Sequence, residues 1–455
     1  MTERSFDVVV VGGGSAGAAV ACLLAQRGRR VAVVERRQAD RAGARWVNGI
    51  PAWAFDRAGI HAPAPPERLG AAGVAHACVL SVPGAAASLR LPDSPVVDVD
   101  MRRLVARLRE SGALAGVEVV HGRVAALELL DGRPDAVIVE PSAPGPRLRL
   151  RARLVIDASG LAGAVRRRVP ELVRLCPDPA RDDLCSAAQF QHAVVDSEAG
   201  RRFLERHGAR PGESLALTAV AGGFSVLTLF TTRAMDQVGV LTGSIPALGH
   251  PTGARLHHEF VVANPWIGAP LFGGHGAIPL RRPYTTLVSP GVALVGDAAS
   301  QVYGAHGSGV AMGLVAARML ADAVGSHGDP GDPERLHARY AAPFHREYGG
   351  LLAGSDVFRR FSQRLTQEDV ASLLGSGLLS LDVLAAALGQ RPPRPTRRSA
   401  AQAARGAVRA PRLAARLGPA IARIAALHHL YGVYPERLDG VTLARFEATV
   451  RRVSG

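Results

Sequence analysis

The sequence predicts an α/β fold, in which a parallel sheet flanked by helices is interleaved with a mostly antiparallel sheet and followed by a helical C-terminal region. Three observations predict it. A strand, a glycine-rich turn and a helix open the chain, short strand-like runs punctuated by glycine and proline fill its middle, and helical periodicity dominates after residue 325. With 455 residues, the chain is long enough for several domains and a large core.

Hydropathy and cysteine usage exclude several classes of protein. Apolar runs such as residues 8–11 are too short to cross a bilayer, and the N-terminus lacks the order of regions that marks a signal peptide. We therefore expect a cytoplasmic protein. The four cysteines are scattered without a CxxC pair, which predicts neither a disulfide framework nor a metal site.

The formal net charge is +15, and every basic residue is an arginine, because the chain contains no lysine. Arginine is spread through all segments, which indicates a compositional bias rather than a nucleic-acid footprint. No helix-turn-helix, zinc-finger or aromatic RNA-binding motif is present. We expect no nucleic-acid partner.

The strongest local pattern is FDVVVVGGGSAGAAVACLLAQRGRRVAVVERR, near the N-terminus. Residues 6–11 predict a buried strand, because they form a largely β-branched apolar run. Residues 15–27 have the apolar periodicity of a helix, and residues 31–34 predict a second strand that ends at Glu35. The order predicts a βαβ unit.

The turn of this unit has the GxGxxG spacing, at Gly12, Gly14 and Gly17. Gly12 allows the tight turn, Gly14 lets the backbone approach a pyrophosphate, and Gly17 lets helix and strand pack closely. The helix N-terminus presents free N–H groups to phosphates. Glu35 is placed to accept hydrogen bonds from ribose hydroxyls. This full context favours a dinucleotide site over a βαβ unit without a ligand.

Two later strand ends carry similar small residues. An apolar strand ends in VIDASG, residues 155–160. Residues 292–295 predict another strand, Asp297 follows it, and residues 307–324 predict a long helix after a glycine-rich loop. Both strand ends allow close approach of backbone to a ligand.

The GGGSAG turn with Glu35, the VIDASG strand end and LVGDAAS…GSGVAMG occur in the order found in a flavoprotein superfamily, which the chain resembles. This superfamily contains aromatic-ring hydroxylases, flavin-dependent halogenases and geranylgeranyl reductases. The resemblance implies a Rossmann-like FAD-binding domain, in which Asp297 binds the ribityl chain and the following helix points its N-terminus at the flavin. The FAD-binding residues that it implies are Gly12, Gly14, Ser15, Ala16, Gly17, Glu35, Arg36, Asn48, Arg102, Val124, Ala158, Gly160, Gly296, Asp297, Gly307, Ser308, Gly309 and Val310.

Two more segments resemble parts of this fold. Residues 48–50 predict a loop beside the flavin, leading into a helix that ends at Gly59. Residues 98–108 resemble a helix in which the family usually carries arginine three residues before a leucine. Counting back from Leu104 places Met101 there. The adjacent Arg102 is the flavin contact that we assign to this helix.

The resemblance and the strand-like runs divide the chain into three regions. Runs such as HACVLSV and ESLALTAVAGGFSVLTLFTT predict the mostly antiparallel substrate-binding sheet, with a pocket between it and the flavin. The predicted regions are an FAD-binding domain (1–69, 96–170 and 284–325), a substrate-binding sheet domain (70–95 and 171–283) and a helical C-terminal region (326–455).

Motifs narrow the reaction class. Flavin halogenases share a WxWxIP motif and a catalytic lysine; this chain has neither, and arginine cannot replace the amine because it stays protonated. Aromatic hydroxylases usually carry proline and asparagine where Gly304 and Ala311 stand here. The segment GAIPLRRPYTTLVSPGVALVGDAAS, which leads up to and includes Asp297, is more like the corresponding segment of geranylgeranyl reductases. Those enzymes usually also carry a tryptophan in a strand of the substrate sheet, where this chain has GGFSVLTLF.

Tyr303, His306 and Asn48 are the candidate catalytic residues. Tyr303 and His306 flank the loop that lies nearest the flavin in the family fold. His306 is either a general acid or base, or a side chain that hydrogen-bonds a loop carbonyl. The other pocket candidates are Trp46, Trp53, Phe224, Trp266 and His275, although tryptophans are more often core residues.

A proline- and arginine-rich linker at residues 389–398 precedes basic helices. Four arginines between residues 405 and 416 fall at helical spacing, which predicts a helix with one cationic face. Pro411 kinks or divides this stretch. The face either contacts an anionic membrane peripherally or is the solvated side of a packed helix. The four are Arg405, Arg409, Arg412 and Arg416.

These observations predict an FAD-dependent oxidoreductase, monooxygenase- or geranylgeranyl-reductase-like, that acts on an apolar small molecule in bacterial specialised metabolism. The flavin would carry the chemistry, and NAD(P)H would reduce it transiently, since no second dinucleotide motif appears. The alternatives are a redox-neutral flavoenzyme, such as a cyclase or isomerase, and a non-catalytic flavin-binding protein.

Overall fold

The computed structural model describes residues 1–38, 41–70, 77–85 and 87–455. The strands are β1 (Thr2–Val11), β2 (Val31–Glu35), β3 (Val47–Pro51), β4 (Cys78–Ser81), β5 (Ser88–Leu91), β6 (Val96–Asp100), β7 (Glu118–Leu130), β8 (Arg133–Pro141), β9 (Leu148–Asp157), β10 (Leu184–Val194), β11 (Ser214–Thr218), β12 (Ser225–Thr231), β13 (Gln237–Ser244), β14 (Ile267–Pro279), β15 (Val288–Ser289) and β16 (Val292–Leu294).

The helices, in the same order, are α1 (Ser15–Ala25), α2 (Trp53–Ala58), α3 (Met101–Leu114), α4 (Pro170–Leu175), α5 (Ser197–Arg206), α6 (Gly253–Ala263), α7 (Val310–Val324), α8 (Pro333–Leu336), α9 (Ala342–Phe344), α10 (Gly350–Ser362), α11 (Gln367–Ser376), α12 (Leu381–Leu388), α13 (Arg397–Arg409), α14 (Pro411–Gly432) and α15 (Gly440–Ser454).

The first sheet is built around β1, which pairs in parallel with β2 on one side and β9 on the other. β7 extends the parallel order beyond β2, and β16 extends it beyond β9. β8 joins β7 to β9 by antiparallel pairing. The apolar ends of β1 and β2 are buried, as expected for parallel strands covered on both faces. β7 is a single strand of 13 residues.

The second sheet has the order β14-β10-β13-β12-β11-β4-β5, and only the β11–β4 pair within it is parallel. Helices α5 and α6 cover one of its faces, where Phe203, Leu204 and Trp266 form a core with strand side chains. The other face turns toward the first sheet. The predicted segment 70–95 includes positions 71–76 and 86, which lie outside the described residues. The division into domains stays a prediction.

The region after α7 is helical. α13 ends at Arg409 and α14 begins at Pro411, because Ala410 has a non-helical backbone (φ −131°, ψ 63°). Pro411 therefore divides the stretch, as predicted, and the four arginines of the predicted cationic face lie on two helices, two on each. Among the described residues no single helix is both long and apolar enough to cross a bilayer; α11 and α12 meet that test only as a bent pair.

Candidate functional site

The predicted FAD-binding residues gather where the parallel strands end. β1 leads into the turn before α1, β2 ends at Glu35, β9 ends before Ala158, and β16 ends before Asp297. Such a shared carboxyl edge is the usual ligand crevice of an open α/β sheet. Sequentially distant motifs thus form one continuous edge.

Steric constraints explain the glycines of the first turn. Gly12 has φ +107°, and a Cβ there would lie 2.4 Å from the Ala158 carbonyl oxygen. A Cβ on Gly17 would lie 1.9 Å from the Gly12 oxygen. Above Gly14, by contrast, the nearest neighbour of an added Cβ is the Gly43 Cα, at 3.7 Å. A Cβ there would make only an ordinary contact, so packing within the protein does not require this glycine, and the missing Cβ lets a pyrophosphate approach the backbone.

Glu35 closes the adenosine side of the crevice. Its Oε2 accepts a hydrogen bond from the Gly13 N–H at 2.7 Å, and its Oε1 accepts one from the Arg37 N–H at 2.8 Å. Each oxygen keeps a lone pair for a ribose hydroxyl. Arg36 is exposed, whereas the side chain of Val124 is buried in the core on β7.

The turn after β9 is held by Asp157, a fully buried carboxylate that our sequence assignment omitted. It accepts hydrogen bonds from Ser159 and from the backbone N–H groups of Val165 and Arg166, at 2.6–3.0 Å. This network fixes Ala158 and Gly160 beside the glycine turn. The position of an acid at a strand end was the signal that could have identified it.

Asp297 lies beside the start of α7. A Cβ added to Gly309 would approach its Oδ1 to 3.0 Å. Among the described residues, no group donates a hydrogen bond to its carboxylate. Burial raises the pKa of Asp297 to about 6. Asp297 is half-buried, and a carboxylate with no hydrogen-bond partner among the described residues can accept a hydrogen bond from a ligand hydroxyl.

The helix that follows begins at Val310, later than predicted, because Gly307 has φ +71° and Gly309 is its N-cap. No side chain caps this end, so the first backbone N–H groups of α7 are available to an anion or a carbonyl. The Ser308 hydroxyl is also buried without a partner. Gly296, Asp297 and residues 307–310 therefore form one cradle, and its groups fit the ribityl chain and ring of FAD.

We expect FAD affinity to depend on pH through Asp297. A hydroxyl that donates to the carboxylate stabilises the charged form, so FAD binding should lower the pKa and release a proton. Affinity should therefore rise between about pH 5 and pH 7 and then level off, with a limiting slope of about tenfold per pH unit. Fluorescence titration of the apoprotein with FAD measures this. Asp297→Asn should bind more weakly with a flat profile; an equally flat wild-type profile would contradict the assignment.

Two residues assigned to the flavin by resemblance have structural partners. Residues 48–50 are part of strand β3, paired with β6, rather than the predicted loop. Asn48 lies opposite Val99 there. The Arg102 guanidinium forms a bidentate pair with Asp100, at 3.0 and 2.7 Å, and its Cζ lies 3.4 Å from the centroid of the Phe272 ring. Arg102 thus joins α3 to the second sheet.

The rings of Tyr303 and His306 are in contact, with centroids 4.8 Å apart and planes tilted by 36°. His306 Nε2 donates a hydrogen bond to the Ala387 carbonyl at 3.1 Å. This contact favours the second of the two predicted roles, in which the histidine hydrogen-bonds a carbonyl of a loop or helix end. The donation leaves Nδ1 of the neutral ring as an acceptor. The ring remains accessible to solvent, but the protein atoms around it lower its pKa. Burial raises the pKa of Tyr303 to about 12, so its hydroxyl stays protonated.

The second sheet supplies an apolar wall opposite this loop. Phe224 and Leu280 belong to it, and a Cβ added to Gly307 would lie 3.4 Å from Leu280 Cδ2. Trp46 lies over the same sheet face, because Cβ atoms added to Gly274 and Gly276 would approach its ring to 3.9 and 3.2 Å. The wall consists of Cys185, Ala187, Phe224, Ile245, Ile278 and Leu280.

Three other pocket candidates have different places. Trp266 is buried on the opposite face of the sheet, and His275 is exposed on that same face, because side chains alternate along β14. Both assignments to the pocket are wrong. Trp53 donates its Nε1–H to the Gly389 carbonyl at 2.7 Å and stacks on Tyr348, so it anchors the end of α12.

Gln189 is a site residue that the sequence analysis missed. It lies opposite Gly274, on the face that carries Trp46, and only 3% of it is exposed. Neither its amide oxygen nor its amide nitrogen has a partner among the described residues. A buried, unpartnered amide is available to a polar group of a ligand. Its signal was the polar alternation of AAQFQHAVV within an otherwise apolar strand.

Comparisons with known proteins agree with this geometry. Residues 5–176 match the family model of an FAD binding domain. Digeranylgeranylglycerophospholipid reductase 2 of Methanopyrus kandleri is 27% identical over 389 residues, which cover 81% of this chain and 92% of that protein. The corresponding reductase 1 is 29% identical over 321 residues, 70% of this chain and 80% of that protein. These relatives are archaeal and do not support the predicted bacterial setting.

Solved structures show the same fold. A geranylgeranyl bacteriochlorophyll reductase-like protein from Thermoplasma acidophilum superposes with a TM-score of 0.71 at 17% identity, over 92% of this chain and all of that one. A flavin-dependent brominase superposes with a TM-score of 0.59 at 13% identity, over 89% and 98% of the two chains. The chain is thus an FAD-dependent oxidoreductase with an FAD-binding domain over residues 5–176, and it is similar to geranylgeranyl reductases over most of its length.

Proposed function

We propose that this protein reduces carbon–carbon double bonds in the isoprenoid chain of a lipid. The observation that carries the proposal is the likeness to digeranylgeranylglycerophospholipid reductases over 70–81% of the chain, at 22–29% identity. The apolar wall beside the Tyr303–Gly309 loop suits a hydrocarbon substrate. NAD(P)H or another external donor would supply the electrons.

The residues of this chain would then have separate tasks. Bound FAD would supply the hydride. Asp297 and the first N–H groups of α7 would orient it, and Phe224 with the rest of the wall would exclude water from the double bond. The hydroxyl of Tyr303 keeps its proton near neutral pH and would be the proton donor to the substrate carbon. Gln189 would receive a polar group of the substrate.

An anaerobic single-turnover experiment tests this proposal. The FAD-loaded protein is reduced, mixed with a glycerophospholipid that carries geranylgeranyl chains, and followed by the return of oxidised flavin absorbance. Mass spectrometry should find one added H₂ for each double bond reduced. Substrate-dependent oxygen uptake in air, with an oxygen atom in the product, would instead establish a monooxygenase. Turnover without net oxidation of the flavin would establish redox-neutral chemistry.

Phe224→Asn should weaken use of the lipid without affecting flavin reduction. Replacing the phenyl ring by an amide removes about 1.5–3 kcal/mol of hydrophobic contact between the wall and the lipid chain. The KM for the lipid should therefore rise roughly tenfold or more. Phe260→Asn is the matched control, because Phe260 packs against the opposite face of the sheet. Steady-state kinetics with the lipid measures both. Equal KM values for Phe224→Asn and the wild type would exclude this wall as the substrate surface.

A further inference from the structure

A second cavity lies in the helical C-terminal region, away from the cofactor cradle. It has a volume of about 260 Å³ and is bounded by α10, α14 and the end of α15. Four guanidinium groups line it, from Arg360, Arg364, Arg416 and Arg423. Neither the FAD site nor the apolar wall uses these residues.

Two of the four arginines are neutralised by the protein. Arg360 pairs with Asp183 at 2.7 Å and with Asp356 at 3.2 Å. Arg416 pairs with Asp369 at 2.9 Å. These pairs fix the two guanidinium groups at the rim of the cavity and leave some of their N–H donors free.

Arg364 and Arg423 have no such neutralisation. Within residues 1–38, 41–70, 77–85 and 87–455, neither side chain has an ion-pair or hydrogen-bond partner. Arg423 packs against Gly455, since a Cβ added there would lie 2.7 Å from its Nη1. Two guanidinium groups that pair with no aspartate or glutamate side chain of the described residues therefore line one small cavity.

The sequence around α14 adds further positive charge near the cavity. Residues 383–435 contain nine arginines and no aspartate or glutamate. α14 lies within this stretch and supplies Arg416 and Arg423. Clustered charge of one sign attracts anions over about 10 Å at moderate ionic strength.

The size and apolar wall of the cavity indicate the kind of anion. Its volume is below the roughly 300–1,000 Å³ of pockets that enclose a whole small molecule, so it suits a head group. Guanidinium groups bind phosphate oxygens through paired, charge-assisted hydrogen bonds. Val357, Phe361, Pro419 and Ala420 supply apolar atoms to its wall. An anionic head joined to an apolar body matches this surface.

We propose that Arg364 and Arg423, supported by Arg360 and Arg416, form a binding site for the phosphate group of a small molecule or a phospholipid. The inference is independent of the reaction proposed above, because none of its residues belongs to the FAD cradle or the apolar wall. A phospholipid and a soluble phosphate compound share the recognised group. The experiment has separate arms for these two sources.

The test compares the FAD-loaded wild type with the double variant Arg364→Gln/Arg423→Gln. Arg405→Gln/Arg409→Gln is the matched control, because it removes the same charge from exposed arginines on α13 outside the cavity. Calorimetry measures binding of inorganic phosphate against chloride at equal ionic strength. Co-sedimentation measures binding to phosphatidylcholine vesicles with and without phosphatidic acid. The thermal midpoint confirms that each variant is folded.

The proposal expects the cavity variant to lose phosphate affinity by about tenfold or more, and the control to keep it. If the phospholipid is the source, vesicle binding will require phosphatidic acid, will be lost in the cavity variant and will be displaced by inorganic phosphate. If a soluble compound is the source, only the calorimetric difference will appear. Equal phosphate binding by the wild type and the cavity variant would overturn the site. Equal loss of vesicle and phosphate binding in both variants would show diffuse attraction by the arginine-rich stretch, and would also overturn it.

Discussion

Gly17→Ala is expected to remove stable FAD binding. The new Cβ would lie 1.9 Å from the Gly12 oxygen and 3.1 Å from the Ala158 Cβ. Relief of this overlap requires α1 to move away from the turn that holds the pyrophosphate. Overpacking of this kind costs about 1–3 kcal/mol or more, and FAD affinity should fall by about a hundredfold. The apoprotein titrated with FAD, followed by fluorescence, measures the change.

Gly418→Ala is the control for this substitution. Gly418 lies inside α14, directly before Pro419, and apart from its chain neighbours and its own helix no described atom lies within 4 Å of the Cβ that alanine would add. The residue is far along the chain from the glycine turn, so the change should leave FAD binding unaltered. Wild-type FAD affinity in Gly17→Ala would show that the turn adapts, and our steric account of the motif would be wrong.

Arg359→Met is expected to give the largest loss of stability. Arg359 is fully buried in α10, and its Nη2 contacts Asp183 Oδ1 at 2.6 Å and Asp356 Oδ1 at 2.5 Å. Its Nη1 also donates to the Asp182 carbonyl and to Gln363. Removing the cation leaves buried carboxylates short of positive charge, which costs about 3–5 kcal/mol. Urea unfolding measures this cost.

Arg360→Met provides the comparison, because Arg360 contacts the same two aspartates but keeps a third of its side chain exposed. Its loss should cost about 1 kcal/mol or less, since solvent screens the pair. Adding Asp183→Asn and Asp356→Asn to Arg359→Met should restore part of the stability. Equal costs for Arg359→Met and Arg360→Met would show that burial does not decide the contribution of this cluster.

The Arg359 cluster also supports the candidate site. Asp356 accepts a hydrogen bond from the Arg282 N–H at 3.2 Å, and the neighbouring Ser355 hydroxyl accepts one from the Gly304 N–H at 2.9 Å. Gly304 begins the loop that carries His306. Arg359→Met should therefore also disturb this loop, although its own side chain lies outside it.

Gly304 stands where aromatic hydroxylases usually carry proline, and the structure gives a physical reason for the glycine. A Cβ at this position would lie 2.7 Å from the Leu280 carbonyl oxygen and 3.5 Å from the Asp356 Cα. Packing against the end of the second sheet and against α10 therefore requires glycine. The sequence comparison treated this position as a marker of reaction class. Its glycine is explained by local packing, so it does not by itself distinguish reduction from oxygenation.

Local patterns predicted local structure well. The strand endings at Val11 and Glu35, the C-terminal glycine of α2 and the break at Pro411 all agree with the structure. The prediction failed where pairing decides conformation. Residues 48–50 were assigned to a loop because their segment resembles a part of the family fold, yet β6 pairs with them and makes them a strand.

The sequence by itself determined which residues were predicted to hold FAD. The glycines form tight turns, Glu35 and Asp297 stand at or just after the ends of strands, and both features are encoded by residues next to them in the chain. Only the tertiary structure decided the rest of the site. It placed Trp266 and His275 on the far face of the second sheet and turned Gln189 toward the near face. It also joined Arg359 to Asp183, 176 residues away. Such contacts depend on how sheets and helices pack, and short-range periodicity does not encode which distant side chains meet.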